Sequence, residues 1–233
     1  MEIFQESVEQ KFVFPLGQAN VLRDWMEYRL ARDPLYYLGT IHSLYYDTTA
    51  LHLLEEKRNS DYQKTKVRLR WYDTEKDRGN DSVTCYLEVK RKSGTVRRKE
   101  RLAVTLPAET LDGGIFGNPL VWDLATRAYE LGYCPPGTLV PVAEISYKRL
   151  RYVDPETGSR FSLDTDIRCL RANHDLFNLN PPVHLDCGVL EQKGASRFLL
   201  ASHAPIAAFL NKGSFSKYTE CVEALLQPML KRR

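Results

Sequence analysis

The sequence lacks several features that would assign it to common protein classes. It has no run of about eighteen apolar residues, so none of its 233 residues is predicted to form a membrane-spanning helix. It has five cysteines without a Cys-x-x-Cys pair, and its five histidines show no metal-ligand spacing, so no motif indicates a zinc site. Residues 1–10 are too acidic and polar for a signal peptide, so we expect a reduced, cytoplasmic protein.

Two catalytic motifs are also missing. Gly113, Gly114 and Gly117 are not followed by Gly-Lys-Ser or Gly-Lys-Thr, which excludes a P-loop. The residues around Ser196 lack the glycine that a nucleophile elbow needs. Because no internal repeat, low-complexity tract or linker divides the chain, residues 1–233 are predicted to form a single domain.

The basic residues are concentrated in one part of the chain. Lysine and arginine total 33 against 30 acidic residues, a net charge of only +3. Residues 57–101 alone carry a net charge of +8, which leaves −5 for the remainder. Residues 57–101 are therefore predicted to be the part of the chain best suited to bind an anionic ligand.

Hydrophobic periodicity predicts a mixture of helices and strands. Apolar residues recur every three or four positions in 17–33, 119–132 and 218–230, which predicts three helices. The period changes to two, with many β-branched and aromatic residues, in 41–46, 65–72, 83–92, 95–106, 142–153, 160–170 and 183–193. Turn signals at Ser93-Gly94 and at residues 155–158 favour antiparallel hairpins, and the predicted fold class is α+β.

Alternate residues of a strand share a face, and several predicted strands have a charged face and an apolar one. Lys66, Arg68 and Arg70 lie opposite Val67 and Leu69. The same partition in neighbouring strands adds further charged residues, namely Glu88, Lys90, Lys92, Arg97, Lys99, Arg101, Arg149, Arg151, Arg160, Asp164, Asp166, Glu191 and Lys193.

Two interpretations of these faces remain open. Alternating charge is typical of a solvated outer face. However, like charges two residues apart repel each other, and a bound anion would relieve that repulsion. If helices cover the apolar faces and the sheet closes, the charged faces would line the bore of an antiparallel β-barrel of about eight strands. Such a bore suits a phosphate polyanion and a divalent metal.

The chain resembles the polyphosphate polymerase domain of the vacuolar transporter chaperone (VTC) type, within the triphosphate tunnel metalloenzyme superfamily. The resemblance covers nearly the whole chain, and its motifs are weak singly but specific in this order: Glu9-Gln10-Lys11-Phe12, residues 43–48 (SLYYDT), residues 68–72 (RLRWY), Glu88-Val89-Lys90, Tyr147-Lys148-Arg149, residues 160–165 (RFSLDT), residues 190–193 (LEQK) and residues 215–218 (FSKY). It implies an antiparallel β-barrel tunnel flanked by helices.

The resemblance also implies roles for individual residues. The residues implied to act on the phosphates during catalysis are Arg68, Arg70, Lys90, Lys99, Arg149 and Arg160. Further substrate-binding residues, some implied by the family and some added from strand alternation and neighbouring positions, are Lys11, Arg97, Arg101, Arg151, Lys193, Ser216 and Lys217. Glu191, helped by Glu9, is implied to hold Mn²⁺ or Mg²⁺.

Two positions depart from the family patterns. The adenylate cyclase and thiamine triphosphatase branch begins with Glu-x-Glu-x-Lys, and Ser7 replaces the first glutamate here, which favours the polymerase branch. Ser214 stands where the polymerase pattern often has a basic residue, so either Lys212 substitutes or one phosphate contact is missing.

Three functions follow, and the first is favoured. In the first, the γ-phosphate of ATP passes to the end of a polyphosphate chain. In the second, water is the acceptor, which gives a metal-dependent triphosphatase or polyphosphate hydrolase. Glu88, Asp164 and Asp166 are candidate bases for that reaction, although each is better explained as a charge partner of a neighbouring Arg or Lys.

The third function is a non-catalytic module that binds polyphosphate or inositol phosphates. The predicted partners are ATP, polyphosphate or triphosphate, and phosphate. Membrane-bound relatives suggest a separate membrane partner. Specific nucleic-acid recognition is not expected, because the tyrosine pairs at 36–37 and 45–46 are typical of sheet packing rather than of base stacking.

Overall fold

The computed structural model describes residues 8–73, 80–112, 114–178, 182–194 and 204–227. The chain divides into two compact units, each assembled from three segments. The first unit comprises Met1–Thr40, Tyr147–Ile167 and His184–Ser216, and the second comprises Ile41–Ser146, Arg168–Val183 and Lys217–Arg233. The single domain over residues 1–233 stays a prediction.

The described residues contain eleven strands and five α-helices. In chain order they are β1 (Val8–Pro15), α1 (Ala19–Arg29), β2 (Ala31–Arg32), β3 (Leu38–Thr48), α2 (His52–Arg58), β4 (Gln63–Asp73), β5 (Ser82–Ser93), β6 (Val96–Pro107), α3 (Pro119–Thr126), β7 (Leu139–Val153), β8 (Arg160–Ala172), β9 (Val183–His184), β10 (Cys187–Gly194), α4 (Ala204–Ala207), β11 (Asn211–Lys212) and α5 (Lys217–Leu226). Three of the strands have only two residues, so eight long strands remain within the described part of the chain.

Strand pairing is mostly antiparallel. In the first unit the strand order is β11-β1-β10-β8-β7, with β2 also paired to β7. In the second unit the order is β7-β3-β4-β5-β6. Over the described residues, the strands within each unit pair in a linear order, and the last strand does not pair with the first. The α+β class with an antiparallel sheet is therefore confirmed, whereas closure into a barrel stays a prediction.

Each unit has its own hydrophobic core on one face of its strands. In the first unit, Leu22 and Met26 of α1 pack with Phe12 and Phe14 of β1. In the second unit, α3 packs against the alternate apolar residues of β4 and β5, among them Val67, Leu69, Leu87 and Val89. The expectation that helices cover the apolar faces is confirmed, and the charged residues of these strands lie on the opposite face.

The three predicted helices exist, but the α-helical part of each is shorter than periodicity indicated. The helix predicted over 17–33 stops at Arg29, because residues 31 and 32 instead pair with Tyr152 and Val153 of β7. The helix predicted over 119–132 becomes a 3₁₀ turn at Arg127 and ends at Gly132, whose φ of 67° suits glycine. The helix predicted over 218–230 runs from Lys217 to Leu226, and residues 228–230 lie outside the described part.

Among the strands, the segment predicted over 183–193 is interrupted at residues 185–186, which separates β9 from β10. Both predicted hairpin turns are present. Gly94 has a φ of 58° in the β5–β6 turn, and Gly158 a φ of 67° in the β7–β8 turn.

Candidate phosphate and metal site

A dense array of basic side chains covers one face of β4, β5 and β6 in the second unit. The strand registers arrange this cationic lattice in rows: Lys64, Lys92 and Arg97; Lys66, Lys90 and Lys99; Arg68, Glu88 and Arg101; and Arg70 with Tyr86. The lattice thus brings nine basic residues around one carboxylate. Because like charges sit directly opposite each other in the first two rows, an anion bound there would be strongly favoured.

Glu88 lies at the centre of the lattice and is almost fully buried. Nε and Nη2 of Arg68 donate to its Oε2 at 2.8 and 2.6 Å. Nη1 of Arg70 lies 3.9 Å from the same oxygen, and Nζ of Lys99 contacts Oε1. Burial alone would raise the pKa of Glu88, but these three cations lower it to about 2. A carboxylate held this way orders the cations around it.

Two hydroxyl groups from β3 also contact the arginines. Nη1 of Arg68 donates to the Tyr45 hydroxyl at 3.3 Å. Nε of Arg70 donates to Oγ of Ser43 at 3.2 Å. Sequence reasoning assigned Tyr45 to sheet packing and did not select Ser43. The available signal was their alternate spacing on β3, but strand order was needed to place β3 beside β4.

The burial of Arg68, Arg70 and Glu88 argues against a solvated outer face at these three residues. The side chains of Arg68 and Arg70 are 16% and 8% exposed, and that of Glu88 is 2% exposed. A solvated outer face would leave these side chains open to water. Lys99 is more exposed, and its pKa is lowered by partial burial and by Arg68 and Arg70 despite the opposing effect of Glu88. The charged face is therefore recessed around Glu88, whereas Arg97, Lys99 and Arg101 of β6 are exposed.

A second charged group, the acid–base cluster, lies in the first unit and consists of Glu9, Lys11, Arg149, Asp164, Glu191 and Lys193. In the register of β1 and β10, Lys11 lies opposite Glu191 and Glu9 opposite Lys193. Nζ of Lys11 lies 3.2 Å from Glu9 Oε1 and 4.0 Å from Glu191 Oε2, and Nζ of Lys193 lies 2.8 Å from Glu191 Oε1. Acids and bases thus alternate across the two strands.

Arg149 and Asp164 form the buried part of the acid–base cluster. Nε and Nη2 of Arg149 donate to the two Asp164 oxygens at 2.5 and 2.7 Å. Burial alone would lower the pKa of Arg149, but Asp164 raises it well above its usual value. Burial alone would also raise the pKa of Glu191, but Lys11, Lys193 and Arg149 hold it well below its usual range. Arg149 and Glu191 are therefore both charged at neutral pH.

The two glutamates of this cluster fit a divalent metal that needs only one or two protein ligands. The part of the chain that the structure describes contains no group of three or more His, Cys, Asp or Glu side chains arranged to hold a metal. Mg²⁺, however, usually takes one or two protein carboxylates and completes its shell with water and substrate phosphates. Glu9 and Glu191, which share the contact with Lys11, fit an ion that arrives with phosphates rather than a closed protein cage.

The other predicted site residues differ in their surroundings. Arg160 lies opposite Lys193 in the register of β8 and β10 and is exposed. Arg151 instead donates from Nη1 to the Tyr36 carbonyl at 2.9 Å, in the turn that follows β2. Ser216 is buried immediately before α5, and Lys217 is the first residue of that helix.

The three candidate bases are all charge partners of neighbouring cations. Glu88 and Asp164 are held as described above. Asp166 departs from the expected strand alternation, because its backbone has a φ of 53°. Its carboxylate lies 3.5 Å from Nζ of Lys148 and 3.2 Å from Nε2 of His184. The interpretation of these acids as charge partners is confirmed.

Sequence reasoning also missed a cavity of about 430 Å³ in the second unit. His42 and Trp71 line it as a stacked pair with ring centroids 5.3 Å apart. Glu144 accepts from Nε of Arg171 at 2.5 Å and lies 3.2 Å from Nδ1 of His42. No short motif signals this group, because its members come from four separate strands, β3, β4, β7 and β8.

Comparison with known proteins assigns the chain to a family. The family model of the VTC domain matches residues 7–226. The chain belongs to the VTC domain family. Family membership points to a protein that handles triphosphate or polyphosphate, generally with a divalent metal, and does not distinguish a phosphotransferase from a hydrolase. A search of curated proteins gives no match to this VTC domain.

Solved structures resemble the VTC domain only distantly. A putative adenylate cyclase from Bacillus halodurans is 11% identical, with 97% of this chain and 96% of that one covered and a TM-score of 0.47. A putative adenylate cyclase from Vibrio parahaemolyticus is 12% identical, with 94% and 98% covered and a TM-score of 0.43. Likenesses at this level support no argument about function.

No helix in the described part of the VTC domain combines the length and the apolar character needed to cross a membrane. The five cysteines are all free thiols. The cytoplasmic location and the separate membrane partner stay predictions.

Proposed function

We propose that this VTC domain is a polyphosphate polymerase that transfers the γ-phosphate of ATP to the end of a polyphosphate chain. The cationic lattice is the observation that carries the proposal. Its four rows extend roughly 20 Å along the strands. That length suits an extended polyanion better than a single phosphate, and arginine forks and lysine ammonium groups both bind phosphate oxygens.

The reaction needs no covalent intermediate on the protein. A terminal oxygen of the polyphosphate chain attacks the γ-phosphorus of ATP, a new P–O–P link forms, and the bond from the γ-phosphorus to the β–γ bridging oxygen breaks to release ADP. The protein contributes by positioning the phosphates and by neutralising the charge that they develop. No proton has to be removed from the acceptor, because a terminal phosphate oxygen is already anionic.

Individual residues have distinct parts in this mechanism. Arg68 and Arg70, oriented by Glu88, present guanidinium groups to phosphate oxygens, and Lys90 and Lys99 add point charges. In the acid–base cluster, Arg149 is oriented by Asp164. Arg160 and Lys193 add further positive charge to that unit.

The metal ligands proposed are Glu191 and Glu9. These two carboxylates would hold a Mn²⁺ or Mg²⁺ ion, which would supply positive charge that offsets part of the charge of the phosphates. Lys11 lies between the two glutamates and could turn to a phosphate oxygen when a cation takes its place.

The contacts of two of the three candidate bases, Glu88 and Asp164, favour transfer to phosphate over transfer to water. A general base must be free to accept a proton near neutral pH. Glu88 has a pKa of about 2 and contacts three cations, and both oxygens of Asp164 accept from Arg149. Neither acid is suited to activate a water molecule.

The test is to incubate the purified protein with ATP and Mn²⁺, with and without a short polyphosphate primer, and to resolve the products on a gel. Long polyphosphate together with ADP is the expected result. Orthophosphate as the only product, especially from tripolyphosphate, would make the protein a hydrolase. Tight polyphosphate binding without turnover would make it a binding module.

A matched pair of variants on β6 connects the activity to the lattice. Lys99→Ala removes a basic side chain from the cationic face, and we expect it to weaken tripolyphosphate binding about tenfold. Arg98→Ala is the control, because Arg98 is exposed and lies on the opposite face of the same strand. Equal losses for the two variants would contradict the assignment of the phosphate site to this face.

A further inference from the structure

Tyr45 has an unusual position for a buried tyrosine, because both its ring and its hydroxyl face an arginine of the cationic lattice. The residue is 5% exposed. Nη1 of Arg68 donates to its hydroxyl at 3.3 Å, and the Arg68 Cζ atom lies 5.9 Å from the centre of its ring. Arg68 is thus held by Tyr45 on one side and by the Glu88 carboxylate on the other.

The ring of Tyr45 is itself held in place from α5. Tyr218 stacks on it with ring centroids 4.9 Å apart and planes inclined by 20°. The Tyr218 hydroxyl donates to Oδ2 of Asp47 at 2.8 Å. Asp47 also accepts the backbone N–H groups of Thr48 and of residues 53 and 54, so it joins β3 to the start of α2. A rigid chain of contacts therefore runs from Asp47 through Tyr218 and Tyr45 to Arg68.

The contact with Tyr45 affects the orientation in which Arg68 presents its guanidinium group to a phosphate. A guanidinium group is planar, and its advantage over lysine depends on the orientation of that plane. Two donors of Arg68 go to Glu88, which alone would allow the plane to swing about the carboxylate. The third contact, from Nη1 to Tyr45, removes that freedom.

We propose that Tyr45 is a positioning residue for Arg68 in phosphate binding, and that Tyr218 and Asp47 hold Tyr45 in the required place. This inference rests on the proposed function, because it takes Arg68 to be a phosphate-binding group. Tyr45 itself needs no contact with the substrate. Its effect on binding passes entirely through Arg68.

A double-mutant cycle tests this dependence. The dissociation constant for tripolyphosphate is measured by calorimetry on the wild type, Tyr45→Phe, Arg68→Ala and the double variant. We expect Tyr45→Phe to weaken binding by about three- to tenfold, the loss of one hydrogen bond. In the Arg68→Ala background, the same substitution should change the dissociation constant less than twofold, because no guanidinium remains to be oriented.

Tyr46→Phe is the matched control for loss of a buried hydroxyl. Tyr46 is the next residue of β3, is 1% exposed and donates to the Val121 carbonyl at 2.9 Å, on the apolar side of the strand. This variant should lower the urea midpoint of unfolding at least as much as Tyr45→Phe while leaving the dissociation constant unchanged. Tyr218→Phe keeps the ring stack but removes the bond to Asp47, so it should weaken binding in the same direction as Tyr45→Phe.

The outcomes separate this inference from the proposed function. If the wild type does not bind tripolyphosphate, or if Arg68→Ala binds it as tightly as the wild type, the assignment of the phosphate site is wrong. The positioning role of Tyr45 is then wrong as well. If Arg68→Ala loses binding but Tyr45→Phe does not, the phosphate site stands and Tyr45 has no positioning role. Equal losses from Tyr45→Phe in both backgrounds would likewise refute the positioning role.

Discussion

Replacing Glu88 with glutamine tests the electrostatic account of the cationic lattice most directly. A carboxyl group whose pKa falls from 4.5 to about 2 on folding contributes roughly 3 kcal/mol to the free energy of unfolding at neutral pH. The side chain is only 2% exposed, so solvent screening reduces this value little. Glutamine keeps the shape of the side chain but leaves three cations without their central charge.

The sign of the pH dependence follows from the downward direction of the pKa shift. The stabilisation by Glu88 is present above pH 4.5 and is lost as the pH falls toward 2. We therefore expect Glu88→Gln to lower the free energy of unfolding by about 3 kcal/mol at pH 7 and by less than about 1.5 kcal/mol at pH 3. Urea unfolding followed by tryptophan fluorescence at both pH values measures this difference.

The control is Glu100→Gln, which breaks an ion pair on the other face of β6. Glu100 lies 2.9 Å from Nη2 of Arg91, and both side chains are 32% exposed. A pair this accessible contributes at most about 1 kcal/mol. If Glu88→Gln cost no more than this control at pH 7, or if its cost were the same at pH 3, the ordering role of Glu88 would be refuted.

Two further predictions concern the first unit. Gly188→Ala should lower the free energy of unfolding by about 1–3 kcal/mol in urea titrations, because an added Cβ would overlap the Phe14 ring. Gly39→Ala is the control, because the space that its Cβ would occupy is open. Equal effects of the two substitutions would contradict the close approach of β1 and β10. Glu191→Gln should weaken Mn²⁺ binding measured with tripolyphosphate present, while binding of tripolyphosphate without metal is retained. Glu156→Gln is the control, because Glu156 is exposed. An unchanged Mn²⁺ affinity in Glu191→Gln would reject Glu191 as a ligand.

Much of the charged face could be predicted because strand alternation is a local property. Once 65–72 is a strand, Lys66, Arg68 and Arg70 must share a face, since successive side chains point to opposite sides of the sheet. The core residues Val67 and Leu69 follow from the same rule. The three helices were predictable for a similar reason, because an apolar stripe at helical spacing must be buried.

Contacts between distant segments could not be predicted in this way. Strand β1 has no clear alternation of its own, and it is defined by pairing with β10, nearly 180 residues away. The role of Tyr45 depends on α5, which follows it by about 170 residues. Register also decides which charges meet, because moving β5 by one residue against β4 would carry Glu88 to the apolar face.

The sequence by itself determined which residue types share a face, where the basic charge is concentrated and which family the motifs resemble, because these depend on neighbours along the chain. Only the tertiary structure decided that Glu88 is the centre of the cationic lattice, that Glu9 and Glu191 share Lys11, and that the Tyr45 hydroxyl contacts Arg68. The physical reason is that strand order and register bring together side chains whose charges and hydrogen bonds act over only a few ångströms.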